Sequence, residues 1–137
     1  MKPLKIAVAG ASGRMGRMLI EAIAADPEAK LAGALDIAGA ACIGTDAAAF
    51  TGQPAGVAIE SDLAKGLAQS EFLIDFTRPE GTMAHLAECV RQKRMIVIGT
   101  TGFSDADKAA IAAAAKAIPV AFSPNFAVGV NAVFKLA

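Results

Sequence analysis

The sequence predicts an α/β domain on a doubly wound parallel sheet, and three observations carry that reading. Short apolar runs of strand length recur between stretches with helical spacing. Most of those runs lack polar alternation, as strands covered on both faces should. A glycine-rich turn, GASGRMG, joins the first run to the first helix-spaced stretch. With 137 residues the chain has the size of one domain, long enough to bury a core and too short for two full ones.

The elements follow in order. Lys5 to Ala9, Lys30 to Leu35, Val57 to Ile59, Phe72 to Phe76, Met95 to Ile98 and Val120 to Phe122 read as strands. Between the first two, Met15, Leu19, Ile20 and Ile23 form one apolar stripe on a helix that stops before Pro27. Residues 37–56 are rich in Gly and Ala with weak periodicity and read as a loop with room for a short helix. A helix begins near Pro79. Ser104 with Asp107 three residues later marks another helix entry, continuing through Ile111 to Ile118 until Pro119 ends it. The closing stretch VGVNAVFKLA spaces Val130, Val133, Phe134 and Ala137 on one helix face and stops without a cap. The expected organisation is a dinucleotide-binding domain over residues 1–127, with 128–137 starting a helix that leads into an absent second domain.

Composition narrows the function classes. Lys and Arg number 13 against 13 Asp and Glu, so no net field draws the chain to nucleic acid or anionic lipid, and a small-molecule partner is expected. No apolar run approaches the roughly 18 residues of a membrane span, and the N-terminus lacks the long apolar region of a secretory signal, so a cytoplasmic location is expected. Cys42 and Cys89 are too few for a four-ligand zinc site or a disulfide framework and read as inert thiols; no metal is expected.

The chemistry sits where strands end. Gly10, Gly13 and Gly16 follow a buried-looking strand and open an amphipathic helix, where backbone N–H groups and the positive end of the helix dipole suit a pyrophosphate. Asp36 closes the second strand, 20 residues beyond Gly16, where an acid meets adenosine ribose hydroxyls. Strand, glycine turn, helix, strand and acid together make the fold Rossmann-type, although the spacing G-x-x-G-x-x-G departs from the usual fingerprint. A plain structural glycine turn is the competing reading.

Three further loops follow strands. In DFTRPEGT, Asp75 to Thr82, Thr77 and Arg78 are candidates to line the cofactor crevice; alternatively Thr77 caps a helix whose first residue is Pro79. GTTGF, Gly99 to Phe103, offers the Thr100 and Thr101 hydroxyls and flexible backbone to a carboxamide or carboxylate, against a plain turn. SPNFAVGVN brings Ser123, Pro124, Asn125 and Phe126 to the same edge. His85, the single histidine, is expected about one and a half turns into the helix from Pro79, pointing along its body away from the strand ends, and so outside any catalytic group. Asp26, Glu28, Asp62 and Glu71 read as ordinary solvated charges.

In this order and spacing, GASGRMG, DFTRPEGT, GTTGF and SPNFAVGVN resemble the 4-hydroxy-tetrahydrodipicolinate reductases, also called dihydrodipicolinate reductases, over essentially the whole chain. The resemblance implies reduction of the dihydrodipicolinate synthase product on the diaminopimelate route to lysine, with NADH and/or NADPH as hydride source. It also implies that Gly10, Ala11, Ser12, Gly13, Arg14 and Met15 contact the pyrophosphate region and Asp36 the adenosine ribose. Gly99, Thr100, Thr101, Ser123, Pro124, Asn125 and Phe126 then meet the nicotinamide side, with Thr101 also touching substrate.

Two departures stand out. The family's second domain carries a His-His-Arg-x-Lys stretch and a Gly-Thr substrate loop, and neither occurs here, so no catalytic residue is expected in this chain and the homotetramer of the family would form through the absent half. Many members also place Arg after the ribose acid, where this chain has Ile37. Two other readings stand beside the reductase half: a free-standing NAD-binding redox sensor, and a different dehydrogenase of amino-acid metabolism.

Overall fold

The structure, a computed structural model, describes residues 2–122 of the chain. Its elements are β1 (Leu4–Ala9), α1 (Arg14–Ala25), β2 (Ala29–Leu35), a 3-10 turn (Ala49–Thr51), α2 (Leu63–Leu67), β3 (Phe72–Asp75), α3 (Pro79–Gln92), β4 (Met95–Ile98), α4 (Asp105–Ala114) and β5 (Val120–Phe122). The expected loop from Ser123 to Phe126 and the expected helix over 128–137 lie outside the described residues.

The five strands form one parallel sheet in the order β2-β1-β3-β4-β5. Period-two alternation sends Ile6 and Val8 to one face and Ala7 and Ala9 to the other, and all four are buried. On the first face Leu19, Ile20 and Ile23 of α1 pack with Leu31, Ile74 and Val97. On the second, Leu67 of α2, Leu86 and Cys89 of α3 and Ile111 of α4 pack with Leu73, Ile96 and Ile98. Apolar strands without alternation are thus explained by helices on both faces.

Local chemistry sets the helix ends. α1 stops at Ala25, with Asp26 extended just before Pro27. α4 opens on a capping box, the Ser104 hydroxyl accepting from the Asp107 amide at 3.1 Å while the Asp107 carboxylate accepts from the Ser104 amide at 3.4 Å. Its regular part ends at Ala114, short of the expected Ile118. Residues 115–117 form turns, and Pro119 keeps the helix from running on through Ile118, because the position before a proline disfavours the helical region.

Two elements differ from expectation. Val57 to Ile59 is not a sheet strand. Its backbone pairs with the preceding loop, the Ala47 amide donating to Val57 O at 2.8 Å and the Ile59 amide to Thr45 O at 2.9 Å; only Glu60 reaches β2, through a bridge to Leu35. The helix α2 had no counterpart among the expected elements. Its five residues are too few to show a period, yet Asp62 caps it by accepting from the Lys65 amide. α2 crosses β2 so closely that a Cβ on Gly33 would stand 2.0 Å from Gly66 O.

Chain order reverses at β1, which has β2 on one side and β3 on the other. In open parallel sheets, ligands bind in the crevice outside the carboxyl ends of the strands at such a switch point.

Candidate functional site

The turn after β1 is shaped so that only glycine fits at two of its positions. Gly10 has φ +69°, and a Cβ there would lie 3.0 Å from Thr77 Cγ2. A Cβ on Gly16 would fall 2.0 Å from Gly10 O, so the third glycine lets α1 press onto the turn. Gly13 is the α1 N-cap, with no side-chain capping bond and no acid in the first turn. The first-turn amides and the dipole are therefore available to an external anion.

Asp36 stands just past the end of β2 and is tied to that turn. Its Oδ2 accepts from the Ser12 hydroxyl at 2.6 Å and the Ser12 amide at 3.0 Å, and its Oδ1 from the Ile37 amide at 2.8 Å. The Cys42 thiol approaches Oδ2 at 3.7 Å. Partial burial works to raise this carboxyl, but the donations from Ser12, Ile37 and Cys42 together hold it below its ordinary value of 3.8. It is an anion and an acceptor, as binding ribose hydroxyls requires.

A cleft of about 780 Å³ opens at the carboxyl ends of β1, β2 and β3. Gly10, Ser12 and Gly13 form one wall, Asp36 and Ile37 a second, and Thr77, Arg78 and His85 a third. Ile37 is 76% exposed, an apolar side chain at its lip.

Beneath the third wall lies a hydrogen-bonded hub. Asp75, the last residue of β3, is fully buried, and its Oδ1 accepts from the Thr77 amide at 2.9 Å and hydroxyl at 2.6 Å. Its Oδ2 lies 2.6 Å from His85 Nδ1. Burial pushes the Asp75 carboxyl up, but the hydrogen bond and field of the His85 ring, with the two Thr77 donations, outweigh it and leave the value lowered. An ionised carboxylate only accepts, so His85 Nδ1 carries the proton.

His85 therefore meets a strand end, contrary to the expectation that it points away. The helix starts directly beside β3, so a residue six positions in still lies level with the Asp75 carboxylate. Thr77 does not cap α3 either. The N-cap is Arg78, Pro79 holds the first position as expected, and the Thr77 hydroxyl turns back to Asp75.

The remaining candidates divide. Ala11 is buried and its amide donates to Leu35 O, while Met15 packs on the core and Arg14 is exposed at the start of α1. Gly99 is buried because the Phe76 ring occupies the place of its missing side chain, 1.6 Å from where a Cβ would stand. The Thr100 hydroxyl, expected to face a ligand, is buried; it accepts from the Thr82 hydroxyl at 2.8 Å and donates to Asp75 O at 3.3 Å. Thr101 is exposed. Asp75 and His85 are the site residues that sequence reasoning missed; the signal was an acid at a strand end followed ten residues later by the only histidine.

Among the described residues no group of three or more His, Cys, Asp and Glu could hold a metal ion, and no helix is long and apolar enough to cross a membrane.

The family model described as dihydrodipicolinate reductase, N-terminus, matches residues 4–126. The 4-hydroxy-tetrahydrodipicolinate reductases of Janthinobacterium sp. (strain Marseille) and Herminiimonas arsenicoxydans are each 64% identical over 136 residues, covering 99% of this chain and 51% of the relative. The chain thus spans about half the length of the curated relatives it matches. A dipicolinate-bound dihydrodipicolinate reductase from Paenisporosarcina sp. TG-14 superposes with TM-score 0.74 at 22% identity, over 92% of this chain and 49% of that one. GenD2 from gentamicin A biosynthesis, solved with NAD, superposes with TM-score 0.72 at 25% identity, over 92% and 36%.

Proposed function

The chain belongs to the dihydrodipicolinate reductase N-terminal family, and on that premise we propose that it is the NADH- or NADPH-binding half of a 4-hydroxy-tetrahydrodipicolinate reductase serving diaminopimelate and lysine synthesis. The observation that carries the reading is the single cleft joining the glycine turn to the Asp36 carboxylate. The uncapped α1 terminus takes the pyrophosphate, and the backbone from Gly10 to Met15 wraps it. Asp36 accepts from the adenosine ribose hydroxyls and Ile37 lies against the adenosine. Thr77 sets the opposite wall. Gly99 to Thr101 serve the nicotinamide side through backbone, as do Ser123, Pro124, Asn125 and Phe126, and Thr101 reaches substrate.

The cofactor supplies a hydride when bound. This chain's part is to bind and orient it, with Thr101 reaching substrate, while the remaining substrate-holding groups and the proton donors belong to the half of the relatives that it does not cover. Residues 1–127 form the cofactor domain and 128–137 lead toward that second half, through which the full-length enzyme assembles as a cytoplasmic homotetramer.

Calorimetric titration with NADH tests the reading. The parent chain should saturate, and Gly13→Glu, which puts a carboxylate where the pyrophosphate lies, should abolish binding. Unchanged binding in Gly13→Glu would reduce the turn to a structural one. In the same preparation the chain should not oxidise NADH in the presence of substrate; turnover would overturn the division of labour between halves.

A further inference from the structure

The Asp75 and His85 pair lies outside the roles assigned so far. Asp75 is wholly buried and the His85 side chain is 12% exposed. Nδ1 is committed to Asp75, and Nε2 makes no hydrogen bond to another described residue. The ring borders the cleft, with Cε1 3.7 Å from where a Cβ on Gly81 would stand; the same point is 3.2 Å from Thr77 Oγ1. Thr77 in turn touches the glycine turn, its Cγ2 lying 3.0 Å from where a Cβ on Gly10 would be. His85 thus sits one residue beyond Thr77 on the wall opposite the glycine turn. The cleft that it borders contains Gly10, Gly13 and Asp36 but none of Gly99 to Thr101.

We propose that His85 is a cofactor-binding residue whose Nε2 hydrogen-bonds the adenosine diphosphate half of the dinucleotide, and that Asp75 is the positioning residue that turns Nε2 to the cleft by holding Nδ1. This rests on the cofactor reading above. A buried carboxylate that fixes one ring nitrogen leaves the other as the sole hydrogen-bonding group at the surface, with tautomer and orientation set in advance.

His85 is the only histidine of the chain, so its Cε1–H proton resonance is an unambiguous probe in the unaltered protein. ADP-ribose should shift that resonance saturably, and nicotinamide mononucleotide should leave it in place. The substitution His85→Asn puts an amide nitrogen near the Nδ1 position, keeping a donor for Asp75 while deleting Nε2. It should weaken ADP-ribose and NADH by the same factor, roughly fivefold, with the thermal midpoint close to the parent's. If ADP-ribose binds the parent without moving the His85 resonance, or if a folded His85→Asn binds it as tightly as the parent, the proposal falls and His85 is a clamp on α3. A loss for NADH without a loss for ADP-ribose would place the contact on the nicotinamide half and equally overturn it. If the parent binds neither ADP-ribose nor NADH, the cofactor reading falls first and takes this one with it.

Discussion

At the scale of single residues, two carboxylates at the site, Asp36 and Asp75, are held ionised by donors. Asp75 is the more demanding, because a buried charge is tolerated only with its hydrogen bonds satisfied. Its folded-state carboxyl titrates below the ordinary 3.8. The stabilisation is therefore complete above 3.8 and lost as pH falls through the lower folded value. Asp75→Asn should cost about 2 kcal/mol at pH 7, the range for hydrogen bonds to a charged group. In urea titrations the gap between parent and variant should narrow as the pH is taken below 3.8. A gap that stays constant down to pH 2 would mean that the carboxylate is not the stabilising form.

On the proposed cofactor reading, Asp36 and Ile37 are the residues expected to set the cofactor preference at the same scale. The Asp36 carboxylate matches two ribose hydroxyls, but a 2′-phosphate in place of one would face it with like charge. Ile37 brings no cation, so NADH should bind at least as tightly as NADPH. Ile37→Arg should shift the ratio of the two dissociation constants toward NADPH by about tenfold, some 1.4 kcal/mol, measured at fixed ionic strength because phosphate contacts are screened. A parent that clearly prefers NADPH, or a ratio that Ile37→Arg leaves unchanged, would put the 2′-phosphate on another basic residue.

At the scale of elements, close backbone approaches as well as apolar burial place the helices on the sheet. The crossing of α2 over β2 works because Gly33 and Gly66 both lack side chains. A Cβ on Gly33 would meet a carbonyl oxygen that cannot swing away. Gly33→Ala should lower stability by about 2 kcal/mol, within the range for overpacking. Equal midpoints for Gly33→Ala and the parent would show that α2 does not hold its place on β2 as described.

What the sequence made legible follows from range. The β1, α1, β2 unit could be read because its signals are local: an unbroken apolar strand, glycines at the turn, a stripe at helical spacing and Pro27 as a stop. The Ser104 and Asp107 box was legible for the same reason. Val57 to Ile59 misled because a three-residue apolar run looks alike whether it pairs with β2 or with its own preceding loop. The Asp75 and His85 contact escaped because it depends on where α3 rises beside β3, which no spacing along the chain encodes. Thr100 escaped likewise, its hydroxyl drawn inward by Thr82 from another element.

At the scale of the whole molecule, among the described residues α1 and the segment from Cys42 to Ile59 cover one face of the parallel sheet, α2, α3 and α4 cover the other, and the carboxyl ends of β1, β2 and β3 remain open as a cleft. A dinucleotide binds across such a switch point because the glycine turn, the ribose acid and the β3 loop come from separate segments that meet only there. A structure of this chain with bound NADH is the most direct test. The account predicts the pyrophosphate at the amides opening α1 and the adenosine ribose hydroxyls within hydrogen-bond distance of the Asp36 carboxylate. Density for the dinucleotide elsewhere, for instance in the apolar groove beside Ile20, Ile23 and Leu31, with the glycine turn and Asp36 untouched, would contradict it.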